Sequence, residues 1–109
     1  MDIIIDATNK SLGRLATEIA IKLRGKNQTN YLPYIDSKNK VKVTNISKVK
    51  FTGKKKEQKV YRHHTRHPGG LKVKKTADFT PAQLLLNTIH DMLPKNRTRK
   101  KILQRLIIE

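Results

Sequence analysis

Cysteine is absent from the 109 residues. A disulfide framework, a thiolate nucleophile and a Cys-type zinc site are therefore excluded, and the chain suits a reducing cytosol. Tryptophan is absent too, and all aromatics together make up 5%. Hydrophobic residues are 36% of the chain, so the core must be built from Ile, Leu, Val and Ala. No apolar run reaches the roughly 18 residues that would span a bilayer. The start, MDIIIDATNK, lacks a basic segment followed by a long apolar one, so it does not read as a signal peptide. The expectation is a soluble, cytoplasmic protein, with residues 1–109 forming one domain.

Acidic residues are scarce as well. Eight Asp and Glu face 25 Lys and Arg, a formal net charge of +17. A soluble small domain usually carries a net charge of about 2–8. An excess this large repels itself and opposes compaction, and a polyanionic partner would relieve it. An anionic membrane would serve the same purpose. However, the sequence has no long basic amphipathic helix with bulky apolar anchors and no lipidation motif. The charge is also uneven. Residues 38–75 hold fourteen Lys and Arg with one acid, Glu57, and residues 95–105 hold six with none. A charge run is commonly a solvated face, but two dense clusters on so small a chain match the footprint of a nucleic acid.

Hydrophobic spacing gives an α/β chain. Ile3-Ile4-Ile5 reads as a short buried strand. Ser11 is placed as a helix N-cap. Leu12, Leu15, Ala16, Ile19, Ala20 and Leu23 then recur at helical spacing, and Gly25 supplies the stop. A polar connection with Pro33 follows. The alternation in KVKVTNISKVKFTG predicts two short strands with a turn around Asn45. Strand, helix and strand in that order predict a right-handed crossover within a parallel or mixed sheet. Residues 59–64 read as a further strand, broken by Pro68-Gly69-Gly70. Thr80 and Pro81 open a helix whose apolar stripe is Ala82, Leu85, Leu86, Ile89 and Leu93. A last basic helix is expected from Arg97 to Arg105, with Ile102, Leu103 and Leu106 inward.

The stretch YRHHTRHPGG, residues 61–70, poses the functional question. His63 and His67 are four apart, but Pro68 and the strand-like lead-in oppose the helix that would bring them to one face. No carboxylate is adjacent, Arg62 and Arg66 would repel a cation, and no His-Glu-x-x-His occurs, so neither a metal site nor acid–base catalysis is expected. Two readings stay open: a surface for phosphate and ribose, with glycines allowing close backbone approach, or a turn whose histidines are satisfied internally. The first strand–helix turn holds one glycine, Gly13, where a dinucleotide fold needs three, and no P-loop pattern is present. No cofactor or small-molecule substrate is therefore expected. Zinc-finger, basic-zipper, RRM and KH signatures are absent. Recognition of RNA would rest on shape and phosphate, with Tyr31, Tyr34 and Tyr61 as the available stacking rings.

Four stretches carry a resemblance: IIIDATNKSLGRLAT at 3–17, KLRGKNQTNYLPYID at 22–36, KVYRHHTRHPGG at 59–70 and MLPKNRTRKKILQRL at 92–106. Taken in order, with VTNISKVKFTGKK at 43–55 between them, the chain resembles the large-subunit ribosomal protein thirteen family, in a short bacterial or organellar form. Segments that many bacterial members carry before the first strand and after the last helix are not in this sequence.

The resemblance implies a three-layer α/β/α domain with a four-stranded, mainly parallel sheet. It implies a non-enzymatic ribosomal protein that binds large-subunit rRNA and touches neighbouring large-subunit proteins. The family's first motif falls on Asp6, Ala7, Thr8, Leu12, Gly13, Arg14, Leu15 and Ala16. Its histidine loop falls on His63, His64, Thr65, His67, Pro68, Gly69 and Gly70, and its last motif on Met92 to Arg97. The sequence departs from the family at Arg66 and Asp91, where Gly is common, and at Thr98-Arg99, where Leu-Gly is frequent. The expected RNA contacts are Arg14, Arg24 and Lys26 around the first helix, and Arg62, His63, His64, Arg66 and His67 in the loop. Lys95, Arg97, Arg99, Lys100 and Arg105 complete the set near the C-terminus.

Overall fold

A computed structural model describes residues Asp2 to Glu109. Its order is β1 (Asp2–Asp6), α1 (Leu12–Arg24), β2 (Lys40–Thr44), α2 (Lys55–Gln58), β3 (Val60–His64), β4 (Leu71–Lys75), α3 (Pro81–Met92), α4 (Arg99–Gln104) and β5 (Leu106–Ile108). The β1–α1–β2 unit forms as the sequence spacing requires. β2 lies centrally, parallel to β1 on one side and to β5 on the other.

Pairing aligns Ile3 with Val41 and Ile5 with Val43, then Val41 with Leu106 and Val43 with Ile108. Side chains alternate along a strand, so these residues share one face. That face meets Leu15, Ile19 and Leu23 of α1 and Leu85 and Ile89 of α3 in one aliphatic cluster. Each such Leu or Ile, once fully buried, contributes about 1.5–3 kcal/mol.

α1 ends where Gly25 adopts a left-handed φ of 74° and its N–H reaches the Ile21 and Lys22 carbonyls. A Cβ at Gly25 would sit 2.7 Å from the Ser37 Cβ, so glycine also lets the following loop fold back. At α3, the Thr80 hydroxyl accepts from the Gln83 N–H while the Gln83 side chain accepts from the Thr80 N–H, both at 3.3 Å. This reciprocal cap and Pro81 fix the start expected from sequence.

Four expectations are corrected. The parallel sheet has three strands rather than four; β3 and β4 form a separate antiparallel pair. No third layer forms among the described residues. The sheet's second face carries the row Ile4, Lys42 and Ile107, with Ile4 72% and Ile107 50% exposed. The second strand expected after Asn45, around Val49 and Phe51, does not form: a 3-10 turn occupies Ile46–Lys48 and the residues after it have only an isolated bridge. Asn45 takes a left-handed φ of 57° and its carbonyl accepts from the Lys48 N–H, leaving only Lys50 to bridge to Ser11. The last helix starts at Arg99 because the Asn96 carboxamide oxygen accepts from the Thr98 N–H and hydroxyl. It ends at Gln104, and Leu106 opens β5 instead of lining the helix.

Candidate nucleic-acid interface

The histidine stretch is the end of a hairpin. His63 pairs with Lys72, Arg62 with Val73 and His64 with Leu71. Paired residues share a face, so Arg62 and His64 lie on the side of Leu71 and Val73. His63 lies on the other side, with Lys72, Lys74 and Tyr61. The hairpin is anchored through Tyr61, whose ring meets Phe79 edge to face at 5.3 Å. Burial in this contact pushes the Tyr61 phenol pKa up, helped by the charge of Asp91. The buried Thr76 hydroxyl donates to the Lys59 carbonyl at 2.8 Å and ties the hairpin's base together.

The loop itself is closed by backbone. Thr65 N–H donates to Gly70 O at 3.0 Å, and Gly70 N–H to His67 O at 2.9 Å. A Cβ at Gly70 would collide with the Thr65 side chain and stand 2.9 Å from the His67 carbonyl. Arg66 holds a left-handed φ of 65°, and its N–H donates to His64 Nδ1 at 2.8 Å. His64 thus spends one ring nitrogen on shaping the loop. Arg62, His63, Arg66 and His67 stay exposed. Among the described residues, no three His, Cys, Asp or Glu side chains converge to hold a metal ion.

A second basic region surrounds the start of α1. Arg14 lines a cleft of about 670 Å³ together with Lys10, Lys50 and Lys55. Sequence reasoning missed these three lysines. The Lys50 N–H bond to the Lys10 carbonyl, 2.9 Å, draws residues forty positions apart to one rim. Ser11 makes no side-chain cap, and the first turn of α1 has no acid. The positive end of the helix is therefore uncompensated here. Lys10 also meets Glu18 at 3.3 Å, and Lys22 meets it at 2.9 Å. The Lys22 hydrogen bond is the main cause that holds the Glu18 carboxyl below its usual range; burial opposes it, and the Lys10 hydrogen bond and the two lysine charges keep the net shift downward.

The remaining expected residues gather at the other end of α1. Arg24 and Arg105 border a pocket of about 210 Å³ with Asn96 and Thr98. Arg24 also borders a groove with Lys26. Lys95, Arg97 and Lys100 are exposed and Arg99 is half-buried. Arg105 is placed differently from these. Its side chain is 14% exposed, Nη1 lies 2.6 Å from Asp36 Oδ1, and Nη2 donates to Leu23 O at 3.4 Å. Nε has no acceptor among the described residues. Burial pushes the Asp36 carboxyl up, but the Lys38 N–H and the Arg105 charge outweigh it and the net shift is downward. Arg105 therefore serves first to hold the loop before β2.

Three cationic surfaces are thus present: the hairpin end, the α1 cleft and the C-terminal cluster. Residues 1–108 match the family described as Ribosomal protein L13. The chain belongs to the ribosomal protein L13 family. Among relatives, the large ribosomal subunit protein uL13 of Leuconostoc mesenteroides is 48% identical over 101 residues, covering 90% of this chain and 69% of the relative. The protein of the same name from Trichormus variabilis is 44% identical over 106 residues, covering 94% and 70%. That from Rubrobacter xylanophilus is 44% identical over 108 residues, covering 96% and 76%. The match across the chain includes the α1 cleft and the hairpin as well as the core.

Proposed function

We propose that the protein is a non-catalytic constituent of the large ribosomal subunit, held there by rRNA and contributing to subunit assembly and translation. The observation that carries this is membership of the L13 family along residues 1–108. The arrangement of charge supports it. Arginine forks suit phosphate oxygens bidentately, and lysines act as point charges. Arg62, His63, Arg66 and His67 would meet RNA at the hairpin end, with the free ring nitrogen of His64 beside them. Arg14 would act with Lys10, Lys50 and Lys55 at the α1 cleft. Arg24, Lys26, Lys95, Arg97, Arg99 and Lys100 would act near the C-terminal cluster, with Arg105 behind them. Residues 1–109 would serve as one RNA-binding unit, with neighbouring large-subunit proteins touching what the RNA leaves free. Cations on separate surfaces lower the electrostatic cost of bringing RNA segments together.

The competing reading is a sequence-indifferent DNA-compacting protein. Binding of purified protein to large-subunit rRNA and to duplex DNA, at matched salt, separates the two. A strong preference for rRNA supports the ribosomal role. Equal affinity for both counts against it.

A further inference from the structure

The connection from α1 to β2, residues 25–39, has neither helix nor strand. Structureless loops of about this length are uncommon in compact domains and are usually either functional or disordered. This one is held in shape. Ser37 Oγ donates to Leu23 O at 2.8 Å, buried Asn39 donates through Nδ2 to Lys22 O at 3.0 Å, and Asp36 meets Arg105. Turn bonds from Tyr31 N–H to Gln28 O and from Ile35 N–H to Leu32 O fix its middle.

Two of the protein's three tyrosines lie in this loop. Tyr31 has the Arg24 guanidinium 5.8 Å from its ring centre. Tyr34 is 83% exposed at the rim of the 210 Å³ pocket. The walls mix these rings with the apolar Pro33, Ile35, Pro94 and Ile102, the polar Asp36, Ser37, Asn96 and Thr98, and the guanidinium groups of Arg24 and Arg105. A phosphate alone leaves most of this lining unused: Arg105 is already committed to Asp36 and Leu23 O, and only Arg24 remains to meet an anion beside the Asp36 carboxylate. An apolar protein segment would leave those polar groups without partners. A nucleobase fits both constraints. Its flat face stacks on an aromatic ring, and its exocyclic amine or ring N–H donates to a carboxylate.

We infer that this pocket receives an unpaired base of RNA, stacked on Tyr34, with its donor edge toward Asp36 and its backbone phosphate near Arg24 and Lys26. The inference rests on the proposed RNA-binding role and adds the mode of contact. A stacking contact differs from the cationic ones in a measurable way: it releases no counterions.

The test measures affinity of the intact protein for large-subunit rRNA purified from the source cells, across a salt series. Tyr34→Ala should weaken binding by about five- to a hundredfold with the wild-type salt slope. Tyr34→Phe should bind like wild type. Ultraviolet crosslinking of intact large subunits should place a nucleotide adduct on Tyr31 or Tyr34. Wild-type affinity in Tyr34→Ala overturns the inference. So does a crosslink from Tyr34 to a protein neighbour in place of RNA. Failure of the wild-type protein to bind rRNA removes the ribosomal reading itself, and is seen before any variant is compared.

Discussion

The Arg66 N–H donates to His64 Nδ1 at 2.8 Å while Arg66 holds a φ of 65°. A histidine from the resembling motif and an arginine that departs from it are thereby joined in one device. The left-handed conformation costs a non-glycine residue roughly 1–2 kcal/mol, and the side-chain acceptor offsets part of that cost. Arg66→Gly is expected to raise stability by roughly 0.5–1 kcal/mol while weakening rRNA binding. Thermal unfolding and RNA affinity should therefore move in opposite directions. His64→Ala should lower stability by about 1 kcal/mol and speed amide exchange at Arg66, read by NMR.

Gly70 is required by contact rather than by its backbone angle. Its missing Cβ leaves room for the Thr65 side chain. Gly70→Ala should cost roughly 1–3 kcal/mol by overpacking. Trimming the obstacle with Thr65→Ala in the same molecule should return part of the loss. A double-mutant cycle by chemical denaturation measures that coupling.

The Asp6 pKa lies at about 2, down from its ordinary 3.8. The Thr8 N–H is the main cause, at 3.0 Å, joined by the Thr8 hydroxyl at 2.7 Å and Asn45 Nδ2 at 3.1 Å. A carboxyl depressed on folding adds stability above its unfolded pKa, and the gain fades as pH falls through the folded value. Asp6→Asn should therefore be less stable than wild type at neutral pH. The difference should shrink between about pH 4 and pH 2, followed by thermal unfolding across that range.

Salt dependence should report the cationic surfaces. If about six to ten phosphates are neutralised, affinity for RNA should fall by up to roughly 10³–10⁵ between about 50 and 200 mM salt. Lys50→Gln and Lys55→Gln should each flatten the log–log slope by about 0.7–0.9. Glu57→Gln, on the same short helix, should leave the slope at or above the wild-type value.

What was legible in the sequence follows from how local each signal is. α1 shows through because Leu15, Ile19 and Leu23 repeat at helical spacing and Gly25 stops them. α3 shows through because Thr80, Pro81 and Gln83 form a local cap. β5 stayed hidden because Leu106 continues the spacing of Ile102 and Leu103. Only its pairing with Val41, far away in sequence, makes it a strand. β4 is exposed at all five positions and offers no buried alternation to read. The row of Ile4, Lys42 and Ile107 explains the missing third layer, since β2 places a lysine where a covering helix would need an apolar surface. The hairpin loop was legible from its composition. The lysines of the α1 cleft were not, because the Lys10–Lys50 contact that gathers them is tertiary.

Residence in the large ribosomal subunit can be read by sedimentation. Native lysate is resolved on a gradient and the protein followed by mass spectrometry. A ribosomal constituent is expected to co-migrate with large subunits and whole ribosomes, and to stay with them through a moderate salt wash. A free pool at the top of the gradient, with little protein in the ribosomal fractions, would contradict that residence.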